Sequence, residues 1–458
     1  MTTCGPQVVV IGAGIAGLTA AADLVRAGAD VTVLEARGRV GGRMRGVPVS
    51  GGHFVDGGAA YLGNRHTALL ALMRQYGLRR ESTDMEGKST FLLNGERTTT
   101  AMRLPPLDAV ALGQLFDQIE ELLGQAGPDL PWLSPDARRL DRISAQRWFS
   151  QRLTHPDALA FLPLFIGQMM AADPTAVSAL HMAFYLRSGG GTRFLNAFEG
   201  GAQEWRVAGG SHRLCEAMAD HLGGRVRLQE PVRCIDQGAD GVVVHTISED
   251  GRRSRYRGDR AIVAIPPVLA QGIDFRPALV RPRASAVTGR GCVVKVHLIY
   301  PTAVWREFGL SGWSMSARGP LMFTVDDSPP DGSVGVLTAF VTGVAAKAFS
   351  VLPVAEQRAA ALAHVTRLFP QLPAPTQCSV TDWLSEKYSR GCYAALFGKG
   401  DWRRLGPSLT TPHGRIHWAG TETSLEFFGH MEGAVLSGHR AAAELIEHEA
   451  NDTRRVLA

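Results

Sequence analysis

The most specific spacing in the chain belongs to Gly12, Gly14 and Gly17, set as G-x-G-x-x-G with Ala13 and Ala16 among them and followed by Glu35. A turn of this kind handles phosphate: Gly12 allows the tight turn, Gly14 lets backbone approach a pyrophosphate, and Gly17 lets helix pack on strand. The anion then sits on a helix N-terminus. Glu35 is placed to accept hydrogen bonds from a ribose diol, and its charge disfavours a 2′-phosphate. A second position to note is Lys295, a charge in the apolar run 292–300, which by itself reads either as an exposed edge lysine or as a functional group. No nucleophile–base pair stands in a recognisable motif. The six cysteines, at 4, 215, 234, 292, 378 and 392, contain no C-x-x-C pair, which predicts free thiols in a reducing compartment and no metal site.

These residues need elements to hold them. Residues 8–11 form a β-branched run, 18–26 follow at helical spacing, Gly28 closes the helix, and 31–34 make a second strand ending on Glu35: a βαβ nucleotide unit. The motif does not choose between nicotinamide and flavin. The following stretch, Ala36, Arg37, Gly38, Arg39, Val40, Gly41, Gly42 and Arg43, stays glycine-rich and basic instead of opening another helix, which leans towards flavin. Further on, 67–76 reads as a helix and 91–97 as a hairpin about Asn94-Gly95. Residues 108–186 show helical spacing broken by Pro128, Pro131, Pro135, Pro156, Pro163 and Pro174, a helical insertion that covers substrate. A helix at 214–222, strands at 226–228, 242–244, 261–265, 292–300, 321–325 and 334–341, and a helix at 354–368 follow. Alternation places Lys295 on the face of Val293 and His297. A strand from 416 ends in a glycine turn, and Gly429 to Ala434 open a last helix.

With 458 residues, 45% hydrophobic and 20% charged, the chain reads as a soluble globular protein of about two domains. The net charge of +5 comes without a lysine-rich run or interleaved aromatics, so nucleic-acid binding is not expected. The basic cluster 252–257 reads as a solvated hairpin. Residues 1–7 carry no secretory pattern. Uncharged stretches such as 158–172 and 333–346 fall short of the ~20 residues of a spanning helix. The expectation is a cytoplasmic protein with no membrane contact.

Residues 35–43 resemble the extended signature of the flavin amine oxidase family, which includes monoamine, polyamine and L-amino-acid oxidases. Val55-Asp56-Gly57-Gly58-Ala59-Ala60-Tyr61 is similar to the family's second glycine segment, beside the isoalloxazine ring. Further similar segments are Gly209-Gly210-Ser211, Val232, Trp383, the loop Tyr388-Ser389-Arg390-Gly391-Cys392-Tyr393, Gly420-Thr421-Glu422, and Gly429-His430-Met431-Glu432-Gly433-Ala434. The resemblance covers nearly the whole chain, although the polar end 447–458 differs from membrane-tailed animal monoamine oxidases. It implies an α/β fold: a Rossmann-like FAD-binding domain from 1–80, 202–285 and 386–458, with an interposed α+β substrate domain from 81–201 and 286–385. The implied FAD contacts are Gly12, Ala13, Gly14, Ala16, Gly17, Glu35, Ala36, Arg37, Gly42, Arg43, Gly57, Gly58, Ala59, Ala60, Val232, Trp383, Cys392, Gly420, Thr421, Glu422, His430, Met431 and Ala434.

The implied reaction moves a hydride equivalent from the carbon beside a substrate nitrogen to flavin, giving an imine and, with O2, hydrogen peroxide. The cofactor does the chemistry and the protein supplies placement. By resemblance Lys295 holds a water at flavin N5, Tyr393 is one wall of an aromatic pair, His430 stands where monoamine oxidases have the other, and Gln203 lines the substrate cavity. Amino-acid oxidases carry an arginine after the Asp56-Gly57-Gly58 segment. Ala59-Ala60-Tyr61 here favours an amine lacking an α-carboxylate, with Arg187, Arg193 and Arg206 left as other sources of a cation. In monoamine oxidases the cysteine matching Cys392 is bonded to the flavin 8α-methyl. Arg390 replaces that subgroup's glycine, and either lowers the thiol pKa or displaces the loop, so covalent and noncovalent FAD both stay open. The rival readings are a flavin desaturase acting on C–C bonds and a non-catalytic binding protein; retention of 421–434 speaks against the latter. The particular amine, including an elaborate biosynthetic metabolite, and the oligomeric state stay open, a homodimer being compatible.

Overall fold

The computed structural model describes residues 5–127, 130–281, 283 and 288–457, with the side chains of 449–457 not described. Cys4, Pro128, the boundary inferred at 285/286 and Ala458 lie outside these.

Strand β1 (Gln7–Ile11), helix α1 (Ile15–Arg26) and strand β2 (Asp30–Leu34) form the expected unit. The sheet they begin is parallel and five-stranded, in the order Val226–Arg227, β2, β1, Arg260–Val263 and Ile416–Trp418. Helices cover it, so β1 is a continuous apolar run instead of an alternating one. The last helix, Met431–Leu457, lies so close on α1 that a Cβ on Gly438 would stand 2.5 Å from Ala16 O. A smaller sheet joins Arg253–Gly258, Gly241–Ile247, Val232–Gly238 and Asp274–Arg276. Arg253, Arg255 and Arg257 all reach solvent from its edge, as expected of the basic cluster.

The other large sheet has seven strands, in the order Gln377–Asp382, Val293–Tyr300, Gly335–Thr342, Phe323–Asp326, Leu310–Ser316, Lys88–Leu93 and Glu96–Thr100. The hairpin about Asn94-Gly95 is therefore longer than its sequence suggests, and it pairs in parallel with a strand more than two hundred residues away. Val293, Phe323 and Phe340 face a core shared with helices Ala109–Gln125, Pro156–Met170 and Ala179–Ser188. Val294, Val296 and Leu298 face the core beneath Val354–Leu368. Helices on both faces explain why Val293–Tyr300 is buried along its whole length. One expectation fails: Pro163 lies inside Pro156–Met170 and does not break it. The loss there is one N–H and its bond, which buried packing along Phe161, Leu162, Phe165 and Ile166 outweighs.

Candidate active site

A continuous cavity of about 2300 Å³, counting its open mouth, runs from the glycine turn to the face of the seven-stranded sheet. At the turn Gly12 has φ +106°, and a Cβ on it would stand 2.7 Å from Ala264 O. A Cβ on Gly17 would stand 2.0 Å from Gly12 O, so helix and strand meet only because both are glycine. Gly14 has nothing within 4 Å of its would-be Cβ, and no side chain caps α1, which leaves its first N–H groups for an anion in the cavity. The buried Glu35 carboxylate accepts from Ala13 N–H and Arg37 N–H, each at 3.0 Å. Arg37 is clamped by Glu386 and Ser389, while its Nε is buried and unpaired. Ala36, Gly42, Arg43 and Val232 line the same end.

Towards the sheet, Lys295 is 3% exposed and donates to Asp56 O at 3.0 Å and Gly58 O at 2.7 Å, with its ammonium 4.8 Å from the Phe340 ring centre. Burial pulls its pKa below the ordinary lysine value, against Asp327, Asp56 and Cys392. Arg43 donates to Tyr393 O at 2.7 Å and makes a two-pronged pair with Glu422, at 2.7 and 3.0 Å. Burial pushes the Cys392 thiol up to about 11, against the cations Arg43 and Lys295. Arg390, one candidate modulator of that thiol, is exposed at φ +56°, and the cations that act on the thiol are Arg43 and Lys295. Thr421 ties down the next loop: its hydroxyl donates to His430 O at 2.9 Å and accepts Gly429 N–H at 2.8 Å.

Of the residues singled out in the sequence, Gly12, Gly14, Ala16, Glu35, Ala36, Arg37, Gly42, Arg43, Gly58, Ala59, Ala60, Gln203, Val232, Lys295, Cys392, Tyr393, Gly420, Thr421, His430, Met431 and Ala434 line the one cavity. Ala13, Gly17, Gly57, Trp383 and Glu422 do not line it and stand behind it. Ala13 holds Glu35, Gly57 O accepts Trp383 Nε1–H at 2.7 Å, and Glu422 holds Arg43. Gln203 Nε2 donates to Leu195 O at 2.7 Å, and its Oε1 is buried without a partner. Arg187, Arg193 and Arg206 do not line the cavity: Arg206 is locked onto Asp327, Ser328 and Glu81, and Arg187 bonds Leu123 O. Sequence reasoning missed Tyr185, Gln168, Phe198, Trp313 and Phe323, which wall the inner end. Tyr185, Trp313 and Phe323 stand on elements buried along nearly their whole length and read as core, while Phe198 in a loop and Gln168 on a helix break no local pattern. The open anion seat at α1, the unpaired Arg37 Nε and the unpaired Gln203 Oε1 fit a long dinucleotide with a ring at the inner end.

Residues 15–446 match the family model for flavin containing amine oxidoreductase. The chain is 33% identical over 456 residues to an amine oxidase [flavin-containing] of Danio rerio, covering 97% of this chain and 87% of that protein. It is 35% identical over 451 residues to a putative flavin-containing monoamine oxidase of Mycobacterium tuberculosis, covering 96% of each. Among solved structures, wild-type putrescine oxidase bound to putrescine has a TM-score of 0.90 at 32% identity, covering 97% of this chain and 99% of that one. Cyclohexylamine oxidase from Brevibacterium oxydans IH-35A has a TM-score of 0.90 at 30% identity, covering 97% and 100%. The fold and site are those of a flavoprotein oxidoreductase. This chain belongs to the flavin-containing amine oxidoreductase family, with FAD as its cofactor and CH–NH or CH–NH2 bonds as its point of attack. No helix among the described residues is long and apolar enough to cross a membrane.

Proposed function

We propose that the chain oxidises an amine lacking an α-carboxylate, giving an imine, with O2 as final acceptor and hydrogen peroxide as product, in the cytoplasm. The observation that carries this reading is the inner end of the cavity: Tyr185, Phe198, Trp313, Phe323 and Phe340 line it, and none of the three candidate arginines does. No arginine stands among those rings to take a substrate carboxylate in a two-pronged pair, and Lys295 beside Phe340 spends two donors on Asp56 O and Gly58 O. FAD, when bound, supplies the two-electron acceptor. The α1 N-terminus would seat its pyrophosphate, Glu35 its ribose, Val232 its adenine and Met431, at the last helix N-terminus, its pyrimidine edge. Lys295 positions a water, Tyr393 and His430 flank the amine, Gln203 offers its unpaired Oε1, and Cys392 is the point of covalent attachment. The division into a flavin domain (1–80, 202–285, 386–458) and a substrate domain (81–201, 286–385) is part of the same proposal.

The test is anaerobic bleaching of the flavin by benzylamine, cyclohexylamine, putrescine, spermidine, L-leucine and L-phenylalanine, followed by a peroxide assay on admitting air. Amines should bleach it and release peroxide. Bleaching by the amino acids alone would overturn the substrate class, and no bleaching by any of them would favour the C–C desaturase.

A further inference from the structure

An amine yields a hydride from its α-carbon only with the nitrogen lone pair free, yet an aliphatic amine reaches the enzyme near neutral pH as the ammonium ion. An enzyme that binds the ammonium form needs a group at the site to take one proton from nitrogen. The Lys295 amino group is turned onto Asp56 O and Gly58 O, Cys392 is given over to the flavin bond, and burial raises the Tyr185 and Tyr393 phenols above their usual range. Glu422 faces Arg43 and Ala395 N–H, off the cavity. His430 remains. Its Nδ1 lies 3.0 Å from Phe428 O, which only accepts, so Nδ1 carries the hydrogen and Nε2 keeps the lone pair. Nε2 takes no partner among the described residues and is not among the enclosed unpaired atoms, which leaves it reachable from the cavity the ring lines.

The ring is held firmly. It lies over Tyr185 at 5.6 Å and 33°, meets Phe427 at 80°, and its backbone N–H donates to Phe427 O at 3.0 Å. Among the described residues, Tyr393 shares its stretch of the cavity and three further ionisable groups lie close to it. His66, 6.0 Å away, accepts Gly63 N–H on Nδ1, and burial, with His430, holds its pKa down to about 3. The Tyr185 hydroxyl donates to Met169 O. Glu432, on the same helix, is turned onto Ala68 N–H and Leu69 N–H. With no free carboxylate beside it, burial keeps the imidazole neutral and able to accept.

We propose, resting on the amine oxidase reading above, that His430 Nε2 takes the proton from the substrate ammonium group. The N–H bond breaks with its electron pair left on nitrogen, an Nε2–H bond forms, and the positive charge passes to the imidazolium. That pair becomes the second C=N bond when hydride leaves carbon for FAD, and the product iminium carries the new charge. The imidazolium returns its proton to solvent through the cavity mouth.

The experiment follows flavin reduction anaerobically from pH 6 to 10, with the amine of the panel above that bleaches fastest, in wild type and His430→Gln. In wild type the apparent Kd should stay level between pH 7 and 9, because the ammonium form binds. In His430→Gln, kred/Kd should rise about tenfold per pH unit up to the amine's own pKa, because only amine already neutral reacts. The flavin spectrum and FAD content of the variant should match wild type. A wild-type Kd that falls tenfold per pH unit overturns the proposal, and this needs no folded variant. So does a His430→Gln profile like that of wild type. Failure of every amine to bleach wild type instead removes the oxidase reading on which the proposal rests.

Discussion

Lys295 makes two hydrogen bonds with an ammonium that has three donors, so one N–H is left for the cavity. Lys295→Met should slow one flavin half-reaction, on the order of 10- to 100-fold, while FAD stays bound. Stopped-flow traces unchanged in both half-reactions would remove the lysine from the mechanism. The same change leaves the carbonyls of Asp56 and Gly58 unpaired, so the apoprotein should also lose ~1–3 kcal/mol in urea unfolding. For Cys392 the expected outcome is yellow colour that stays with acid-precipitated protein and disappears in Cys392→Ala; FAD released wholly into the supernatant would show a noncovalent site. At this scale the sequence is readable where a residue breaks its local pattern. Lys295 stands out because a charge sits in an apolar strand. Tyr185 does not, because its helix Ala179–Ser188 is buried on all sides and any aromatic there reads as core.

The elements were legible where local chemistry dictates them. The run from β1 to β2 and the helix Val354–Leu368 could be read from β-branched runs, glycine punctuation and period alone. Lys88–Leu93 could not be assigned to its sheet, since its partner Leu310–Ser316 is fixed by tertiary packing far along the chain. The same distance hides the cap of helix Thr67–Gln75: Glu432 accepts Ala68 N–H at 2.9 Å and Leu69 N–H at 2.7 Å from the first turn of the last helix. Glu432→Ala should cost about 1–2 kcal/mol, read as a lower Tm in both apo and FAD-bound protein. Glu35→Gln acts on the turn instead. It should weaken FAD binding by about 1–3 kcal/mol, read as flavin lost on dialysis, because the charged acceptor becomes neutral.

Across the molecule, Arg43 and Glu422 join the basic loop after β2 to the turn before the last helix, 379 residues apart in sequence. Burial alone would raise the Glu422 carboxyl, but the Arg43 charge and hydrogen bonds outweigh it and hold the pKa below the ordinary glutamate value. A lowered folded-state pKa gives stability that is present above the unfolded value of about 4.3 and lost as pH falls through the folded one. Glu422→Gln should therefore cost ~3–5 kcal/mol at pH 7, where Arg43 is left buried without its partner, and less below pH ~4. Urea titrations at the two pH values check both parts.

The parallel sheet sets β1 beside Arg260–Val263, and that strand beside Ile416–Trp418, so segments made far apart in time are two places apart in one sheet. At about 5–20 residues per second, the ribosome takes roughly 20–80 s to pass from one to the other. During that interval the nascent chain holds a phosphate turn with one flank of its sheet unmade and apolar strands such as Val293–Tyr300 already released. The full lining of the flavin cavity thus exists only once Ala434 has been made, and until then the chain exposes apolar strands of the kind that aggregate.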